Sequence, residues 1–401
     1  MKINANTHSV DLDPRGAQFC QNPYPAYHAI RQQCPVFRWE QYGHWCFARH
    51  ADVSALLRDR RFGRQILHVA SREELGWAEP PEHIRVFTEH ETHSLLELEP
   101  PVHTRLRGLV NRAFLSRQVE RLRPKLVSLC NALLDDVEDK PEFDLLKTYA
   151  TPIPIRIICD LLGAPVEMAD QFLVWSHDHV AMYMASRDRA VEDRAVAAVT
   201  AFSAYMRDLI RIRRTSPGDD LLSELIRASD EQGKLSEDEL VTTAILLLNA
   251  GHEATVHSLG NGIKAMIENG VRRVDAGVVE EVLRFDAPLH MFTRYALDDL
   301  EYNGLMLKKG EVVGLMLGAA NRDPERFAEP DAFHPTRDPN SHVSFGAGIH
   351  FCVGAPLARL EMEVALEVLF KRMSRLRIVS QPNYRDAYHF HGLEELRVAA
   401  H

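Results

Sequence analysis

Phe345-Gly346-Ala347-Gly348-Ile349-His350-Phe351-Cys352-Val353-Gly354-Ala355 sets one cysteine among glycines, directly ahead of a stretch in which Leu357, Leu360, Val364 and Val368 recur at helical spacing. The cysteine is therefore expected at the mouth of a helix. Free backbone amides and the positive end of the helix dipole favour a thiolate over a thiol there. Gly346 and Gly348 permit a tight turn that brings backbone N–H groups toward the sulfur, and Gly354 permits close approach of a flat ligand. A thiolate held in this way suits a soft metal centre. Taken alone, the same residues also fit a buried free cysteine beside a glycine-rich turn.

The surrounding chain narrows the choice. Its 401 residues fit two or three ordinary domains or one large one, and 45% hydrophobic with 26% charged residues is ordinary globular composition. Cys20, Cys34, Cys46, Cys130 and Cys159 form no Cys-x-x-Cys pair, so no disulfide framework is expected. The stretch Met1 to Asp13 is polar and lacks the pattern of a signal peptide. With no run of 18 consecutive apolar residues, a cytoplasmic protein without a membrane span is expected. A formal net charge of −10 argues against general nucleic-acid binding. Charge is nonetheless uneven: from His103 to Lys125, six arginines and one lysine stand against the single acid Glu120.

Proline punctuation at Asn22-Pro23-Tyr24-Pro25 opens a helical stretch, and Val36 to Ala48, turning at Gly43, reads as a hairpin. Helical spacing dominates from Arg105 to Val137 and again from Asp144 to Ala228. Strand-like pieces return at Thr293–Ala296, Leu305–Leu307 and Val312–Leu317 and near the C-terminus. The pattern implies an α-rich α+β protein, helical over residues 100–284 and 352–374 and β-rich over residues 30–65 and 285–320. Its clearest helix begins at the capping box Ser236-Glu237-Asp238-Glu239 and stops at Asn269-Gly270. About thirty residues at 1.5 Å each make a rod of roughly 45 Å. Its middle is apolar nearly all round and should be buried. Asn249, Gly251, His252, Glu253 and Thr255 sit within that buried rod, where a glycine and an acid both cost stability.

The cysteine segment resembles the haem-binding signature of the cytochromes P450, Phe-Gly-x-Gly-x-(His or Arg)-x-Cys-x-Gly. Three further segments are similar to that family in the right order: Ala250-Gly251-His252-Glu253 looks like the oxygen-binding kink of its long helix, Glu281-Val282-Leu283-Arg284 like its Glu-x-x-Arg, and Phe333-His334-Pro335-Thr336-Arg337 like the element that adds a second arginine to that pair. Asn22-Pro23-Tyr24 and Asn321-Arg322-Asp323-Pro324 fit soluble bacterial members. The resemblance runs from about residue 20 to the end. It implies a mainly α cytochrome P450 fold as a single domain over residues 1–401, a helical bundle with a long central helix and small peripheral β-sheets. Haem b is the implied cofactor and Cys352 its metal ligand. Phe345, Gly346, His350 and Gly354 would bind it with His103, Arg107 and Arg294, the cationic side chains serving the two propionates. Glu281, Arg284 and Arg337 would form a charge network holding the cysteine loop.

By the same resemblance the activity is monooxygenation of a medium-sized hydrophobic small molecule such as a steroid, terpenoid or polyketide. Electrons would come from a reduced nicotinamide through a separate ferredoxin and its reductase. A peroxide-driven or non-oxygenating haem-thiolate enzyme, or a haem-thiolate protein that only binds ligands, remains an alternative. The chain is expected to be a monomer, with Arg105, Arg112, Arg117 and Arg121 as a docking face. Gly251, Glu253, Ala254 and Thr255 take the catalytic positions. The implied pocket is lined by the loop around Ile84–Leu98, the helices around Phe172–Met184, Asn249 and Ala250, the turn Leu289-His290-Met291-Phe292, and His389-Phe390.

Two departures from the family stand out. Its acid is normally followed by threonine, whereas Glu253 is followed by Ala254, with Thr255 one place later. The link from the long helix to Glu281 is also short, so the helix that normally fills it should shrink to something like Val271–Ala276. Finally, His252-Glu253 with His257 is not a zinc-protease pair, because five residues turn the second histidine about 140° away. His90, His93, His177 and His179 are expected to form no metal cluster.

Overall fold

The computed structural model describes all residues except 184–186, 233–234, 387, 389 and 401, and the side chains of 113, 118, 231 and 232. The chain forms two compact units. The first comprises Met1–Ile66, Arg123–Thr151 and Ala254–His401, and the second Leu67–Leu122 and Pro152–Glu253.

In the first unit the hairpin forms as the alternation implies. Val36–Trp39 pairs antiparallel with His44–Phe47 around Gly43, whose φ of +71° glycine adopts without strain. Phe37 and Trp39 point inward and are fully buried. The hairpin belongs to a seven-stranded sheet in the order Lys2–Asn4, Ser9–Asp11, Val36–Trp39, His44–Phe47, Val312–Leu315, Phe292–Ala296, Phe62–Gly63. Its interior strand Val312–Leu315 runs parallel to His44–Phe47 and antiparallel to Phe292–Ala296. One apolar cluster gathers Tyr27, Ile30, Phe37 and Trp39, and another gathers Phe47, Leu56, Val313 and Leu315.

Three elements differ from expectation. The polar first residues supply two strands at one end of the sheet, because Val10 is fully buried and Leu12 accepts the Trp39 indole N–H at 2.7 Å. The strand expected to reach Leu317 ends at Leu315. Leu317–Ala320 turns helical, and Gly318 packs so closely on His290 that a Cβ would lie 3.0 Å from its ring. No helix forms in Val271–Asp275. There the Val271 N–H returns to the Met266 carbonyl over Gly270 at φ +68°, and Asp275 caps the next helix, Ala276–Phe285, by accepting from the Val278 N–H.

Glu281 and Arg284 lie on that helix with no exposed side-chain surface. Arg284 donates to both Glu281 oxygens, at 2.8 and 2.7 Å, and to the carbonyls of Asn321, Pro330 and Ala332. The His334 N–H, Arg337 Nε and Asn340 Nδ2 also donate to Glu281, at 2.7, 3.2 and 3.0 Å. Burial alone would raise the Glu281 carboxyl, but these donors hold it below the usual carboxylate range.

The second unit is helical. Ala169–Val180 packs on Arg189–Thr215 through Phe172 and Phe202, stacked at 5.4 Å, with Trp175 beside them. The long helix spans Glu237–Glu268. Its capping box is formed: the Ser236 N–H donates to Glu239 at 2.8 Å and the Glu239 N–H to the Ser236 hydroxyl at 3.1 Å.

Removing Arg284 leaves the Glu281 charge buried with its main partner gone, which costs roughly 3–5 kcal/mol. Arg284→Ala should therefore yield little cooperatively folded protein in denaturant unfolding. A variant as stable as the parent would show that the network does not hold the fold.

Candidate active site

Cys352 lies in a short loop ahead of the helix Ala355–Arg372, which carries proline in its first turn. The loop closes on itself: the Cys352 N–H donates to the Phe345 carbonyl at 2.9 Å and the Gly346 N–H to the Val343 carbonyl at 2.8 Å. Gly346 and Gly348 take φ of +66° and +72°, and a Cβ on Gly348 would strike the Leu57 carbonyl at 2.5 Å. Burial pushes Cys130 up to about 11 and Cys159 up to about 12, so these stay thiols. Cys352 alone among the six cysteines is not fully buried. A Cβ built on Gly354 would find only the Cys352 sulfur within 4 Å, at 3.9 Å, so this side of the sulfur is open.

Among the described residues, none of the clusters of metal-ligating side chains includes Cys352. One sulfur at an open helix mouth offers a single ligand position. That donor set fits a flat cofactor that brings its other metal ligands itself, as haem does.

A second carboxylate anchors this loop. Arg359 donates to both Glu280 oxygens, at 2.5 and 3.0 Å, and its guanidinium packs over the Phe345 ring at 4.7 Å. His342 Nε2 lies 3.0 Å from the same carboxylate. Burial raises Glu280, but Arg359 and His342 outweigh it and hold the group down at about 2. Sequence reasoning missed these residues, although the adjacent pair Glu280-Glu281 was a visible signal that two carboxylates need partners.

On the long helix, Leu246, Ala250, Gly251 and Ala254 form the less buried strip of an otherwise buried middle, and Ala250 is exposed. Asn249, His252, Glu253 and Thr255 are buried. Gly251 also serves packing: a Cβ there would meet Ile158 at 2.8 Å.

Other expected positions separate by unit. Arg294 is buried on the strand Phe292–Ala296 in the first unit, with Nη1 on the Thr293 carbonyl at 2.8 Å, and half-buried His350 ends a short 3-10 turn there. His103 and Arg107 stand one turn apart on Val102–Ala113 in the second unit; His103 is buried and Arg107 donates to Asn111 at 2.8 Å. Arg105 is ion-paired with Glu239, whereas Arg112, Arg117 and Arg121 are exposed. Among the pocket positions, Phe292 and Phe390 are partly exposed and Met291 is buried. His290 is fully buried, with Nδ1 2.7 Å from the Tyr27 hydroxyl. Met184 lies between the described segments, and Met184 and His389 both fall outside the described residues.

Among the described residues, three groups of histidines and carboxylates nonetheless come close enough together to offer ligand atoms to one ion. His90, Glu91 and His179, then His177, His252 and Glu253, and also Asp286, His290 and His391, each bring three ligand atoms within 4.8 Å of one another. Their members come from helices and turns far apart in the chain, so linear spacing could not reveal them.

With Glu280 held at about 2 against a usual 4.5, its contribution to stability is complete above about pH 4.5 and is lost as pH falls toward 2. Glu280→Gln should lower the melting temperature most near neutral pH, with the gap to the parent closing on acidification. A gap that does not change with pH would contradict this assignment.

A family model for cytochrome P450 matches residues 276–383. The polyketide biosynthesis cytochrome P450 PksS of Bacillus subtilis is 35% identical over 96% of this chain and 98% of its own. The vitamin D(3) 25-hydroxylase of Pseudonocardia autotrophica is 38% identical over 95% and 94%. Among solved structures, P450BioI in complex with a hexadec-9Z-enoic acid ligated acyl carrier protein superposes with a TM-score of 0.88 at 31% identity, covering 95% of this chain and 99% of that one. No helix among the described residues is long and apolar enough to cross a membrane. The likeness extends over nearly the whole chain, and the chain belongs to the bacterial cytochromes P450, monooxygenases that carry haem b and draw electrons from redox partners.

Proposed function

We propose that this enzyme hydroxylates a medium-sized hydrophobic molecule bearing a few oxygen functions, of the steroid, terpenoid or polyketide kind, and that Cys352 is the axial ligand of its haem. The observation that carries this reading is the half-buried cysteine at a helix mouth, open on its Gly354 side. Relatives named for polyketide biosynthesis and vitamin D(3) hydroxylation support the substrate class. Haem, when bound, supplies the activation of O2 and the transfer of one oxygen atom to the substrate.

The chain's own residues do the rest. Phe345, Gly346 and Gly354 shape the seat of the cofactor, and His103, Arg107, Arg294 and His350 serve its propionates. Glu281, Arg284 and Arg337 hold the loop that presents the thiolate. Asn249, Ala250, His290, Met291, Phe292 and Phe390 belong to the substrate pocket, with His290 acting from behind its surface. Gly251 keeps the long helix slim where oxygen must fit. Glu253 anchors ordered water for proton delivery. Ala254 brings no hydroxyl, and Thr255 is 6% exposed on a different face of the helix, so it does not substitute. Substrate or water must therefore complete the relay. Electrons come from a ferredoxin with its own reductase, docking on Arg112, Arg117 and Arg121; Arg105 is already held by Glu239.

The test is turnover under 18O2 with reduced nicotinamide, a surrogate ferredoxin and its reductase, on compounds chosen by their shift of the haem Soret band. Product should gain one 18O atom. Compounds lacking a polar group near the reacting carbon should bind yet release much of the reducing power as peroxide, and Ala254→Thr should improve their coupling most. Consumption of no nicotinamide with any Soret-shifting compound would mark a ligand-binding protein. Equal coupling for all compounds in both proteins would remove the relay.

A further inference from the structure

Among the described residues there are three clusters of metal-ligating side chains, and in two of them tyrosine hydroxyls donate to the carboxylate. Asp286 accepts from the Tyr24 and Tyr384 hydroxyls at 2.5 Å each and lies 3.3 Å from His391 Nε2. Glu91 accepts from the Tyr183 hydroxyl at 2.7 Å. The third, in the second unit, has the arrangement of a ligand set. The His252 Nδ1–H donates to the Leu248 carbonyl at 2.8 Å, which fixes ring and tautomer and makes Nε2 the lone-pair nitrogen. That nitrogen is 3.7 Å from Glu253 Oε2. From the facing helix, His177 Nε2 comes within 3.4 Å of the same oxygen. Two donors each about 2.1 Å from a tetrahedral ion lie about 3.4 Å apart, close to both separations. The His177 side chain is 54% exposed, which gives an ion a way in, while His252 and Glu253 form the buried floor.

We propose that His177, His252 and Glu253 bind a zinc ion through two neutral imidazoles and one carboxylate, with water in the fourth position, and that the bound ion inhibits turnover by withdrawing Glu253 from proton delivery. Zinc is borderline-soft and takes this mixed nitrogen and oxygen set. The inhibitory half rests on the role proposed above for Glu253, whereas the binding half rests on geometry alone.

The experiment titrates zinc chloride into untagged, haem-loaded enzyme by calorimetry and counts metal after equilibrium dialysis. One zinc per chain is expected. His177→Ala should weaken binding at least about tenfold, with His177→Gln as the alternative if the first variant is unstable, and His90→Ala should leave binding unchanged. Zinc bound equally tightly by the His177 variants, or lost in His90→Ala, would overturn the site. Each protein's product formation is then compared with its own zinc-free rate. Zinc should slow the parent and spare the His177 variants. Binding that leaves the parent's rate untouched would overturn the inhibitory half and leave the hydroxylase reading standing.

Discussion

Glu281 is a carboxylate with no solvent exposure, and such a charge is tolerated only when donors surround it. Its partners are a side chain one turn away on its own helix and three groups from the stretch His334–Asn340. Arg284 in turn binds the carbonyls of Asn321, Pro330 and Ala332. The irregular chain from Asn321 to Asn340 is thus fastened at both ends to a single ion pair. It leads directly into the loop that ends at Cys352, and on this ground the pair is proposed to hold that loop.

The neighbouring Glu280 divides the labour. Where Glu281 secures the chain leading into the loop, Glu280 secures the loop itself through Arg359 and His342, and Arg359 also covers Phe345. Two successive carboxylates therefore hold adjoining stretches of the chain on the way to Cys352. A lone sulfur at a helix mouth has few covalent means to fix its own direction. The glycine turns and these two anchors do so instead, and the open side at Gly354 leaves room for the cofactor.

Much of this was legible in the chain. The hairpin at Gly43, the capping box at Ser236 and the helix after Cys352 follow from local patterns that tertiary contacts do not override. Fold and family rest on four motifs in order. Local patterns failed where stability comes from a distance. Lys2–Asn4 and Ser9–Asp11 are too short and polar to show alternation, yet they pair because Val10 and Leu12 find a core. The stretch Val271–Asp275 has helix-compatible residues, but Gly270 and the Asp275 cap end one helix and start another. Arg359 and His342 are 79 and 62 residues from Glu280, and His177 is far in sequence from Glu253, so neither constellation has a linear signature. His290 shows the same limit: the turn that carries it was expected from the sequence, whereas its complete burial against Tyr27 was not.

Everything proposed for the chemistry depends on the identity of the sulfur that faces the haem. The most direct measurement is the Soret band of the reduced carbon-monoxide complex in parent and cysteine variants. The parent should show the red-shifted band of thiolate ligation. Cys130→Ala and Cys159→Ala should keep it, while Cys352→Ala should lose it and Cys352→His should move it to the position of an ordinary histidine-ligated haem. A red-shifted band that survives in Cys352→Ala would contradict the assignment of Cys352 as the ligand.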